Sequence, residues 1–184
     1  EPDYAAPDRV IDACIESLKN KETSYTSNWG LLELREEISG LFKKRYGLEY
    51  DPMNEIMITV GVSEAITVVM QTILNQGDQV LMPDPAYLAY PACVRLVGGT
   101  PVLVPTFSDD EFRLSVDKLE EKLTTKTKAL LIGYPNNPTG TVMDQAALEE
   151  IAAFAQRHDL IVISDEIYCD LTYEGKHTCF ASIP

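Results

Sequence analysis

The stretch ALLIGYPNNPTG (residues 129–140) runs an apolar strand straight into a rigid polar turn. Its first half has the length and composition of a strand covered on both faces, as in a parallel sheet. Its second half holds two prolines, two asparagines, a threonine and a glycine, more constraint than a change of direction requires. In open parallel sheets ligands bind just beyond the carboxyl ends of the strands, so this turn marks both an architecture and a place to look for a site.

Four further apolar, β-branched runs, at residues 56–60, 79–82, 101–104 and 160–164, predict strands of the same kind. Helical patterns separate them at 63–74, 86–97, 115–123 and 144–156, and two more precede them at 8–18 and 31–46. This alternation predicts an α/β fold, a three-layer α/β/α arrangement with a mainly parallel sheet. There is no internal repeat, low-complexity tract or Gly/Ser linker, so residues 1–184 are expected to form a single domain.

Composition narrows the function classes. With 45% hydrophobic residues in 184, the chain can build a substantial core. A net charge of -14 and a pI of about 4.4 leave no basic footprint for nucleic acid or an anionic membrane surface. No apolar run approaches the roughly 20 residues of a membrane span. Cys14, Cys93, Cys169 and Cys179 fall at no metal-ligand spacing and read as reduced, mostly buried thiols of a cytoplasmic protein. Glu1-Pro2-Asp3 offers neither a basic leader nor an initiating Met, as expected of a piece of a longer protein.

Right-handed crossovers would bring four strand ends to one edge of the sheet. At Gly61-Val62-Ser63-Glu64 a strand meets a helix start, where free N–H groups and the helix dipole could hold an anion; equally, Ser63 could cap an ordinary turn. Asp165 ends an apolar strand, where a carboxylate needs a cationic or hydrogen-bonding partner, and Tyr168 follows three residues later. Asp165 could otherwise cap its own turn, or join Glu166 and Asp170 around a metal. Asn137 would present an amide at the same edge, on a loop stiffened by Pro135 and Pro138, and Tyr87 could stack on a planar ring or simply pack in the core. Neither G-x-G-x-x-G nor a phosphate loop of the G-x-x-x-x-G-K-S/T type is present. Phosphate cradle, carboxylate, amide, phenol and aromatic plate together suit a planar, phosphorylated, nitrogen-containing ring.

The motifs YPNNPTG (134–140), SDEIY (164–168), ITVGVSEAI (58–66), YTSNWGLLELR (25–35) and EPD (1–3) occur in the order and spacing of one family. The chain resembles the large domain of the fold-type I pyridoxal-phosphate enzymes, within the class I/II aminotransferases. That resemblance implies pyridoxal 5'-phosphate as cofactor and an amino acid and a 2-oxo acid as substrates. It implies that Asp165 pairs with the pyridine nitrogen, Asn137 and Tyr168 bind the ring oxygen, and Tyr87 stacks on the ring. Val62, Ser63 and Glu64 would meet the phosphate, and Tyr25 would reach the phosphate held by the second subunit of a homodimer, with Trp29 at the same interface. It also makes Asp84–Pro85 and Asn137–Pro138 candidates for cis bonds.

The resemblance also implies functional residues outside these 184. The Schiff-base lysine of the family lies beyond the SDEIY motif, so the chain by itself is expected to be catalytically incompetent. Lys176 reads as a surface lysine in the loop YEGKHTC, and Arg35 and Arg95 read as helix-surface residues. A small C-terminal domain and the later part of the large domain would likewise lie outside. Edges left open at 56–60 and 129–133 would favour self-association. A carbon–sulfur β-lyase or related synthase, and an aminotransferase-like effector domain of a transcription regulator, are the alternative readings.

Overall fold

Strand parity divides the core in two. In the computed structural model, which describes residues 4–184, four parallel strands form one sheet in the order β2-β1-β3-β4. They are β1 (Gln79–Asp84), β2 (Thr100–Pro105), β3 (Thr127–Gly133) and β4 (Ile161–Asp165). Successive side chains point to opposite faces. Leu81, Val104, Leu130 and Ile132 therefore fill one side, against Leu119 of α5 (Val116–Lys122) and Leu148, Ile151 and Phe154 of α6 (Gln145–Arg157). Val80, Met82, Ala129 and Leu131 fill the other, against Ile66 and Met70 of α3 (Gly61–Ile73) and Tyr90, Cys93 and Val94 of α4 (Ala89–Leu96). The expected three-layer α/β/α arrangement is the one observed.

The chain steps from β1 outward to β2, then returns past β1 to β3 and on to β4. The order reverses between β1 and β3, and such a reversal splays the connections and leaves a crevice at the carboxyl ends. α4 covers one face and α5 the other, as right-handed crossovers running in opposite directions require. α6 starts from a side-chain cap, the Asp144 carboxylate accepting from the Ala147 N–H at 2.9 Å.

Three expectations need correction. Residues 56–60 pair with no strand among the described residues; their one backbone-to-backbone link outside the segment's own turns is the Ile58 N–H on the Trp29 carbonyl at 3.0 Å. Apolar β-branched composition suits a strand, yet sheet membership needs a neighbour to bond with. The segment 129–133 is no edge, because β3 pairs on both sides; the edges are β2 and β4. Arg35 is 5% exposed instead of lying on the surface of α2 (Leu32–Tyr46), its guanidinium turned inward to donate to the Pro52 carbonyl. The thiols are all free, although Cys14, on α1 (Asp8–Lys19), is exposed. The motif at residues 1–3 lies outside the described residues.

Candidate active site

The crevice at the switch point is a cleft of about 500 Å³ walled by α3's start, the loops after β1 and β3, and the end of β4. It brings together six of the residues expected at the site: Val62, Ser63, Tyr87, Asn137, Asp165 and Tyr168. Residues more than a hundred positions apart in sequence thus share one hollow, because the parallel strands β1, β3 and β4 end on one edge and the start of α3 lies beside them. Glu64 and Tyr25 are not among its walls. The Glu64 carboxylate folds back onto the Val60 N–H, and Tyr25 is fully exposed.

The anion-type corner is the first turn of α3. This helix begins at Gly61, two residues before the expected start, so Ser63 lies inside the first turn and is not the cap. Gly61 has a φ of 77°, a left-handed conformation that lets the chain turn sharply into the helix. No side chain caps this end, and among the described residues no protein acceptor takes the Val62 or Ser63 N–H. Those donors and the positive end of the helix dipole sit beside the cleft. The Ser63 hydroxyl is 3.5 Å from the Tyr87 hydroxyl, linking this corner to the aromatic wall.

Asp165, the last residue of β4, supplies the negative charge. Both of its oxygens are held: Oδ1 accepts from the Ile167 N–H at 3.1 Å and Oδ2 from the Tyr90 hydroxyl at 2.8 Å. Strand parity aims its neighbours elsewhere, Ser164 and Glu166 lining a separate cavity of about 380 Å³. There the Glu166 carboxylate accepts from Ser164, from the Phe180 N–H, and contacts His177 Nε2 at 2.7 Å. Asp170 is engaged by Arg45. The three acids do not converge, so the metal arrangement considered from sequence does not form. Lys176 also lines the second cavity, and no lysine lines the cleft among the described residues.

The two asparagines of the turn divide the work. Asn136 is buried: its amide donates to the Gly133 carbonyl at 3.3 Å and its side-chain oxygen accepts from the Thr139 hydroxyl at 3.0 Å. Its backbone exchanges bonds with Gly140 and Thr141, closing the loop. Asn137, exposed, faces the cleft. The bonds before Pro85, Pro135 and Pro138 are cis; the first and third were expected from the resemblance and the second was not.

Sequence reasoning missed Tyr90, which is 4% exposed and lines the cleft beside Tyr87. The two rings meet edge to face, 5.6 Å apart at 85°. Burial first, and the Asp165 carboxylate second, push the Tyr90 phenol well above its usual range, so it stays a proton donor.

A parallel sheet covered by helices, with a polar cleft at its switch point, defines a ligand-binding protein of the open α/β class. The comparisons with known proteins narrow that class. The profile of the family described as aminotransferase class I and II matches residues 1–183, and the chain belongs to that family. It is 46% identical over its full length to an aromatic-amino-acid aminotransferase of Thermococcus litoralis and 47% identical to an aspartate aminotransferase of Pyrococcus abyssi, covering 47% of each. The crystal structure of an aromatic aminotransferase from Pyrococcus horikoshii superposes on all of it with a TM-score of 0.98 at 46% identity, the chain covering 50% of that protein. The chain spans about half the length of the curated relatives it matches.

Proposed function

We propose that this chain forms the cofactor-holding part of a pyridoxal 5'-phosphate-dependent aminotransferase, which exchanges an amino group between an α-amino acid and a 2-oxo acid. The observation that carries the reading is the Asp165 carboxylate, braced on both oxygens at the floor of a cleft whose other corner is an uncapped helix start. A cation on one side and an anion on the other is what a phosphorylated pyridinium presents. The donor set fits the group.

When bound, that cofactor supplies an electron sink for charge developing at the substrate's α-carbon. The chain's own residues hold and orient it. Asp165 would keep a proton on the ring nitrogen through a charge-assisted bond. The Tyr168 hydroxyl and the Asn137 amide would bind the ring oxygen, and Tyr87 would stack on the ring face. The N–H groups of Val62 and Ser63 would take phosphate oxygens. Pro135, Asn137 and Tyr168 also border an adjoining hollow of about 580 Å³, which we assign to the substrate. The names of the relatives support amino-group transfer and favour neither the lyase nor the regulator reading. The exposed Tyr25 and Trp29 are read as part of the surface that meets a second copy, and the four free thiols support a reducing, cytoplasmic setting.

The test is a titration of this chain with pyridoxal 5'-phosphate, followed by borohydride reduction and intact-mass analysis. Reversible binding without a reduced adduct at one lysine is expected, because no lysine lines the cleft. A stoichiometric adduct at a single lysine such as Lys176 overturns the expected incompetence of the chain, and failure to bind overturns its role as the cofactor-holding part.

A further inference from the structure

We propose that Tyr90 is a positioning residue, which fixes the Asp165 carboxylate toward the cofactor's ring nitrogen, and that Gly133 lacks a side chain so that the phenol can reach it. The inference rests on the reading of the site given above. Tyr90 comes from α4 and Asp165 from β4, seventy-five positions apart in sequence, and their 2.8 Å bond joins two residues that line the cleft. With Oδ1 anchored by the Ile167 N–H and Oδ2 by Tyr90, the carboxylate cannot rotate without losing a bond. Each oxygen keeps a second acceptor position for a ligand.

Gly133 pairs with Asp165 in the β3–β4 register, which puts the two side by side. A Cβ built on Gly133 would fall 2.5 Å from the Tyr90 hydroxyl oxygen and so would displace it. Its φ lies outside the left-handed range, so any residue could adopt this backbone. The requirement for glycine here is therefore one of space, set by the phenol. A purely structural Tyr90 would need only its ring, which packs with Cys93 and Val94; the hydroxyl is the group this inference explains.

Tyr90→Phe keeps the ring and removes the bond. The affinity of this chain for pyridoxal 5'-phosphate and for its 1-deaza analogue, which carries carbon in place of the ring nitrogen, separates the roles. Wild type should prefer the natural cofactor. Tyr90→Phe should lower affinity for it roughly tenfold while leaving the analogue unchanged, and should add nothing in an Asp165→Asn background. Gly133→Ala should reproduce the Tyr90→Phe pattern. Equal loss for both ligands, or a preference that survives either substitution, overturns the inference alone. A wild-type chain with no preference for the natural cofactor overturns the reading of the site and this inference with it.

Discussion

Residues 4–60 and residues 61–184 carry apolar patterns of similar clarity, and the two regions meet different fates. α1 has an apolar stripe of Val10, Ile11, Ile15 and Leu18, yet all four are exposed and the helix buries nothing. α6, of nearly the same length, buries Leu148, Ile151, Ala152, Phe154 and Ala155 against the sheet. In the first region the only buried residue is Arg35, whereas in the second β3 is buried almost from end to end. Periodicity fixes which face of a helix is apolar; burial depends on a partner surface that comes from elsewhere in the chain.

Truncation of core side chains gives the sharpest contrast. Phe154→Ala should destabilise the chain by about 3–5 kcal/mol in urea unfolding, whereas Ile15→Ala should stay within about 0.5 kcal/mol. A large effect at Ile15 would mean that the stripe of α1 is covered in solution, and the contrast between the regions would fail.

Within the second region, the adjacent asparagines separate architecture from binding. Asn136→Ala leaves the Gly133 carbonyl and the Thr139 hydroxyl without their buried partner and should lower stability by about 1–3 kcal/mol. Asn137→Ala should leave unfolding unchanged and weaken cofactor binding. Reversal of these two outcomes would reassign the loop.

The alkaline limb of stability comes next in size. Burial, and then the Glu166 carboxylate, raise the Cys179 thiol from its ordinary 9.0 to about 11. The folded state therefore holds this proton more tightly than the unfolded chain. Its contribution is complete below about pH 9 and is lost as pH rises toward about 11. Thermal midpoints measured across that interval should fall less steeply in Cys179→Ala than in the wild type.

The smallest effect is expected where the two regions touch. Arg45 of α2 reaches Asp170 beyond β4 at 2.8 Å, and both side chains are largely exposed. Arg45→Ala should leave the melting temperature unchanged in ordinary salt, since such pairs are screened. A clear drop would show α2 to be docked more firmly than its exposure indicates.

Most of the sheet was legible because β1 to β4 are continuous apolar runs, and local composition suffices for that. The run at 56–60 reads identically, but whether it joins a sheet depends on a strand that no local pattern names. The cleft was legible in outline through strand-end punctuation, which located Ser63, Tyr87, Asn137, Asp165 and Tyr168. Tyr90 was not, because a tyrosine on the inner face of a helix looks like core until the register sets Gly133 beside Asp165. The available signal was the glycine that closes an otherwise bulky strand, beside which another group can approach closely. Asn136 and Asn137 could be told apart only by burial, and the inward turn of Arg35 only by the carbonyl of Pro52 that receives it.

The neighbouring acids at the end of β4 face opposite sides, and the pairing of Gly133 with Asp165 decides which one meets the cleft. Among the described residues β4 pairs with β3 alone. A residue gained or lost in the loop ahead of it can be absorbed there, with both acids left in place. Loss of a residue inside the strand would instead shift everything downstream by one, hand the cleft the longer carboxylate of Glu166, and send the shorter one to the cavity of His177. The chemical identity of the site is thus encoded partly as a count, so sequence variants of this protein that preserve every motif but alter the spacing within β4 are the ones expected to lose it.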